Sequence, residues 1–194
     1  MEKFNSKIPV RYGLFALAYV ITVGMLMYVF YQSLISSFLL FASVGMLSLG
    51  VALFLAIWSG ITYRRENGGV ISFAHAFLAV FIVFVFNSIG SVSTQLLINK
   101  VIDPQYAEKA SSLLKEKMTD RFEKMNMTED QIKEAMKGVT AENFDPPLMK
   151  QLKTFAISLA VFALISAIVA AFIKRGSGDL ISTGETPSTK IPSV

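Results

Sequence analysis

The chain reads as an all-α polytopic membrane protein, with four transmembrane helices and an extramembrane helical hairpin between the third and the fourth. Three observations predict this. Hydrophobic residues fill 53% of the 194 positions and charged residues only 16%, against roughly 25% charged in an ordinary soluble domain. From Tyr12 to Tyr63 there is no Asp, Glu, Lys, Arg or His, a run that a water-soluble core does not need and two bilayer crossings do. Many of the remaining charges collect in one place: Lys100 to Lys153 holds ten basic and ten acidic residues.

In order along the chain, residues 1–11 form a short basic tail, MEKFNSKIPVR. It resembles the start of a signal peptide, but the apolar run behind it is too long and lacks a small-x-small cleavage pattern, so it leads an uncleaved first helix. The spans fall at about 12–31, 38–62, 72–98 and 155–173, inside a domain of residues 12–175. None contains proline, so each can close its own backbone hydrogen bonds, as hydrocarbon demands. The first connection, QSLISS, is uncharged. Residues 176–194 are polar and read as a disordered cytoplasmic tail.

Loop charges orient the bundle. Lys3, Lys7 and Arg11 precede the first span, Arg64 and Arg65 follow the second, and Lys174 and Arg175 follow the fourth. The neutral insert lies on the other side, so both termini are expected in the cytoplasm. Tyr12, Trp58 and Tyr63 then mark one interface, and Tyr28 and Tyr31 the other.

The insert of residues 103–145 has its own punctuation. Asp103-Pro104 predicts an N-cap followed by proline at the first helical position. Ala110, Leu114, Met118, Phe122 and Met125 make an apolar stripe at helical spacing. Thr128 to Gln131 fits a capping box, and Gly138 is expected to close that helix in the left-handed conformation. Asp145-Pro146-Pro147 breaks the chain before the fourth span. Acidic and basic residues alternate on the polar face, which favours packing on the protein over lying flat in headgroups, where a Lys/Arg-rich face is usual.

Between the second and third spans lies YRRENGGVIS. It contains neither GxxxxGK[ST] nor GxGxxG. Asn67, Gly68 and Gly69 supply backbone freedom at positive φ for a reversal, and Ser72 is placed to cap the next helix. Anion capture by Arg64, Arg65 and the free amides of that helix is the alternative. The pattern Tyr63-Arg64-x-x-Asn67-Gly68-Gly69-x-Ile71-Ser72-Phe73, a third helix with a polar end, and Asp103-Pro104 at its exit together resemble a bacterial membrane family, domain of unknown function 4199. The resemblance covers roughly residues 10–175. It implies a small integral membrane protein of the Bacteroidota type and supplies no catalytic residues.

Within the spans, Asn87, Ser91 and Gln95 fall at i, i+4 and i+8, with Ser88 and Thr94 beside them. Such a face turns from lipid, either to hydrogen-bond another helix, for about 1 kcal/mol each, or to line a permeation path. Ser48, Ala52, Ala56 and Gly60 repeat every four residues, as do Ala163, Ala167 and Ala171, and both stripes predict close helix packing or a homodimer seam. His75, the lone histidine, sits at an interface with no intramembrane charge to relay a proton. The absence of cysteine excludes disulfides and thiolate chemistry. Paired carboxylates, metal-ligand clusters and activated nucleophiles are missing from the spans, so no catalytic, cofactor or metal site is expected. A basic, aromatic-laced face for nucleic acid is missing as well. The sequence therefore predicts a non-enzymatic protein of the bacterial inner membrane that binds a partner through the hairpin. Its companions are the lipid bilayer and a second copy or another membrane protein. The alternative is a small-solute channel or transport subunit using the Asn87-Ser91-Gln95 face.

Overall fold

In hydrocarbon a chain must satisfy its own N–H and C=O groups, and long helices do so. The computed structural model describes residues 4–174; the tail of residues 176–194 lies outside them, as do Lys3 and Arg175. Seven α-helices occur among the described residues: α1 Lys7–Val29, α2 Tyr31–Ser36, α3 Phe38–Glu66, α4 Phe73–Leu97, α5 Tyr106–Lys124, α6 Glu129–Met136 and α7 Leu148–Ile173. A π turn, Ile98–Ile102, extends α4, and a 3-10 turn, Ala141–Asn143, precedes α7. No strand occurs among the described residues. Helices α1, α3, α4 and α7 are each long and apolar enough to cross a membrane. Their outer faces suit lipid and not water: Met46 is 77% exposed and Phe172 84%, part of an apolar surface far larger than soluble monomers carry.

The helices overrun the apolar windows, because a helix does not stop where hydrocarbon does. Helix α1 starts at Lys7, with Pro9 in the first turn, where its missing N–H costs nothing. Helix α7 starts at Leu148, directly behind Pro147, so Lys150 and Lys153 already belong to it. The QSLISS connection is itself helical. The chain bends at Phe30, continues as α2, and reverses at Ser37, whose Oγ accepts from the Leu40 N–H. Leu34 and Ile35 of α2 face Leu114 and Met118 of α5, and the Arg121 guanidinium donates to the Ser36 carbonyl at 3.0 Å. Packing on the insert thus makes a helix of what looked like a loop.

Two insert expectations are corrected. Asp103 does not cap a helix with Pro104 inside it: α5 begins at Tyr106 after Gln105, and the Asp103 carboxylate instead accepts from the Gln105 N–H and from Lys109. The π turn holds the Asp103 N–H on the Ile98 carbonyl at 2.9 Å, which delays the new helix. Nor is Gly138 left-handed; the positive-φ residues among those described are Gly68, Gly69 and Asn126. Asn126 closes α5 at φ 56, with the Met127 N–H on the Phe122 carbonyl at 3.1 Å. This is the six-to-one bond of a Schellman ending, and asparagine tolerates it. The capping box at Thr128 and Gln131 is formed in both directions.

Helix α4 is the hub, packed against α1, α3 and α7. Of its most apolar window 39% is buried, against 11% for α1 and α3 and 17% for α7. At the end carrying the termini the bundle is shut. Ala52, Ala56, Tyr63, Ala79, Val80 and Phe84 form its core, the Ser59 hydroxyl donates to the Ala79 carbonyl at 2.8 Å, and Phe84 stacks on Phe162 at 4.6 Å. Of the small stripe on α3, Ala52, Ala56 and Gly60 are buried and Ser48 is half-buried. On α7 the expected stripe is rotated. Ala163 and Ala167 are half-buried and Ala171 exposed, whereas Ser166, Ala170 and Ile173 are buried. The Phe84–Phe162 stack sets that rotation.

Glycine brings α1 against α4. A Cβ at Gly24 would lie 2.6 Å from Thr94, and one at Gly90 would overlap Val20 and sit 3.3 Å from the Leu17 carbonyl. Gly90→Ala therefore forces the two backbones apart and is expected to cost about 1–3 kcal/mol. Gly45→Ala and Gly50→Ala, whose added Cβ meets nothing within 4 Å, should be neutral or stabilise by up to about 1 kcal/mol. Thermal unfolding in detergent separates them; equal losses would refute the close α1–α4 seat.

Candidate functional site

The two ends of the bundle are built differently. At the terminal end, α3 runs into the Asn67-Gly68-Gly69 reversal, with φ at 77° and 85° for the two glycines. The Asn67 side chain donates to the Tyr63 carbonyl at 2.7 Å and the Gly69 N–H to the Arg64 carbonyl at 2.9 Å. Ser72 Oγ accepts from the His75 N–H and so caps α4. The Arg64 guanidinium donates to the Ile173 carbonyl at 3.1 Å, a cation on the negative end of α7. Arg65 is exposed. The arginines thus do not converge on one anion position, and the turn locks three spans together. His75 is half-buried against Phe4 and Tyr63, with ring centroids 5.5 and 6.2 Å away.

At the insert end the bundle opens. Helix α3 meets α7 at the terminal end, where a Cβ on Gly60 would touch Ile173. In its other half, residues 39–50 contain no buried side chain. Between the diverging helices lies a polar cleft with two lobes. One lobe, about 570 Å³, runs between α4 and α7; the other, about 640 Å³, runs between α1, α3 and α4. Asn87, Ser91, Gln95 and Asn143 line both lobes, so the α4 polar face is the ridge where they meet. Ser48 belongs to the second lobe. The terminal end of the cleft is closed by Phe84, Val83 and Ala52, each at most 4% exposed.

The insert returns over this cleft as a strap, residues 141–147. The Phe144 carbonyl accepts from the Gln95 amide at 3.1 Å and from the Asn99 amide at 2.8 Å. The Gln151 amide donates to the Pro146 carbonyl at 2.8 Å, and Lys100 pairs with Asp145. Gln95 therefore holds the strap, while Asn87 and Ser91 face the cleft. Beside the strap, Tyr106 packs edge-on against Tyr28, Tyr31 and Phe144, with centroids 5.3, 5.4 and 6.2 Å away. Burial, reinforced by the neighbouring Tyr31 and Tyr28 hydroxyls, raises the Tyr106 phenol above its ordinary value of 10.0.

Asn99, 3% exposed in the π turn, extends the series Asn87, Ser91, Gln95 by a further four residues, a continuation hidden when the third span is ended at Ile98. Gln151, Thr154 and Ser158 on α7 also line the cleft. They fall at i, i+3 and i+7, a signal hidden when the fourth span is started at Phe155.

The Tyr63–Phe73 turn and the Asp103-Pro104 exit thus stand in one four-span fold. A family model described as a protein of unknown function, DUF4199, matches residues 11–175. The chain belongs to this family. The DUF4199 match takes in all four spans, the turn, the cleft and the insert. Nothing among the curated proteins or the solved structures matches the chain.

The Tyr106 shift fixes the sign of a pH effect. The folded protein holds the phenolic proton more tightly than the unfolded chain does. The associated stability is whole below pH 10.0 and is lost as the pH rises past it. The melting temperature of the wild type should therefore fall more steeply above that pH than that of Tyr106→Phe; parallel curves would show that the buried phenol is not what holds the strap side.

Proposed function

We propose that this is a non-enzymatic protein of the bacterial inner membrane, with both termini in the cytoplasm, that acts by binding another membrane protein at its insert. The observation that carries this reading is an apolar groove of about 440 Å³ between α2 and α5. Leu34, Ile35, Leu114, Met118 and Phe122 line it, with Met125, 69% exposed, at its end. Lys117 and Arg121 also line it. The apolar stripe of α5 is thus only partly used on its own bundle, and an apolar helix would complete it. The excess of Lys and Arg at the terminal end supports the orientation. The cleft's amide and hydroxyl lining supports binding and not bond-breaking chemistry.

A photo-cross-linking residue placed in turn at Met118 and Met125 in living cells tests the groove. Both positions should capture the same membrane protein, a control position at Lys133 should not, and Met118→Asp should cut the Met125 yield about tenfold, equivalent to about 1.4 kcal/mol. Adducts to lipid alone would overturn the reading.

The second reading, a solute conduit, draws on the cleft. Its closed terminal end means that passage needs that end to open. Asn87→Leu with Gln95→Leu should abolish solute flux into vesicles while the bundle stays inserted; unchanged flux would remove the α4 face from any such path.

A further inference from the structure

The polar cleft has a chemistry of its own, independent of the groove and of any passage. Three buried or half-buried amides, those of Gln95, Asn99 and Gln151, each donate one N–H to a strap carbonyl. Asn99 Oδ1 and Gln151 Oε1 are buried without a hydrogen-bond partner, in residues 3% and 7% exposed. The hydroxyl of Ser88, 6% exposed and in the first lobe with Gln151, is likewise unpartnered, whereas Asn99 belongs to the second lobe. Each such group is costly to bury unless a hydrogen bond reaches it, and the two amide oxygens can only accept one. The set calls for an occupant rich in donors.

Charge narrows the choice. Glu142 and Lys150 are the charged residues on the first lobe, and they pair with each other at 3.6 Å; no Asp, Glu, Lys or Arg lines the second. The site therefore favours neither anion nor cation. Tyr28 and Tyr106 add aromatic faces beside the acceptors, a surface that takes C–H groups on the ring and hydroxyls at its edge. The remaining walls are apolar, with Val20, Val23, Met27 and Leu49 in the second lobe. Those walls suit alkyl chains, and the insert-end half of α3, with no buried side chain, does not seal the cleft on that side.

We propose that the cleft binds an uncharged, hydroxyl-bearing headgroup of the sugar type, carried on a lipid and admitted sideways between α3 and α7. The combined lobes, about 570 and 640 Å³, are of the size that small-ligand sites have.

The test uses the full chain in vesicles holding equal amounts of phosphatidylcholine, phosphatidylglycerol and a monoglucosyl diacylglycerol. Lipid retained on gentle release is read by native mass spectrometry. The wild type should keep the glucosyl lipid at least tenfold over either phospholipid. Ser91→Leu, which fills the ridge, and separately Asn87→Leu, should remove that preference while melting like the wild type in phosphatidylcholine alone. If methyl glucoside instead raises the wild-type melting temperature, leaves Ser91→Leu unmoved, and no lipid is enriched, the headgroup chemistry stands with a free source. Preference for phosphatidylglycerol, preference for none together with no effect of the free glucoside, or the same preference in both variants would overturn the proposal.

Discussion

The insert end of this protein depends on how α4 is seated at the other end. Lipid tails are as apolar as leucine, so helices in a bilayer are not driven together by exclusion from water. What remains is close contact, and small residues make it. Gly24 and Gly90 let α1 and α4 touch, Ala52, Ala56 and Gly60 do the same for α3, and Ser59 adds a hydrogen bond to the Ala79 carbonyl. Helix α1 stays on α4 as far as the Gly24–Thr94 contact, whereas α3 is gripped only at the terminal end, so its insert-end half stands away and the cleft opens beside it.

That divergence creates a second requirement. A polar ridge on α4 cannot be left to hydrocarbon, since an unpaired polar group there costs several kcal/mol. The insert supplies backbone carbonyls to the ridge through its 141–147 strap. Its ion pairs contribute little by comparison, because Lys133–Glu129 and Lys137–Glu134 are highly exposed and such pairs are worth about 0–1 kcal/mol. Amide bonds to Phe144 and Pro146, and the ring cluster around Tyr106, hold the strap over the bundle.

Legibility followed the physics of each feature. The four spans were plain because a bilayer imposes length and apolarity on contiguous residues. The glycine reversal and the Thr128 box were plain because they are local. The α3 small-residue stripe showed through its regular period, yet the α1–α4 seat did not, since Gly24 and Gly90 lie on different helices and share no spacing. Asn99 was missed because Lys100 ends the third apolar run beside it, although it keeps the four-residue spacing of Asn87, Ser91 and Gln95, and Gln151 because Lys150 and Lys153 hide the start of α7. Gly138 does not take its expected role because α6 ends at Met136 with Lys137 still right-handed, while the left-handed ending falls to Asn126 on α5, where no glycine marks it.

Helix α3 has 29 residues, about 43 Å of rod, in a membrane whose hydrocarbon is about 30 Å thick. Its last turn, Arg64 to Glu66, can stand clear of the hydrocarbon, and the rest is long enough to span with some tilt. The terminal half is fixed by packing, whereas the insert-end half has no buried side chain to set its angle.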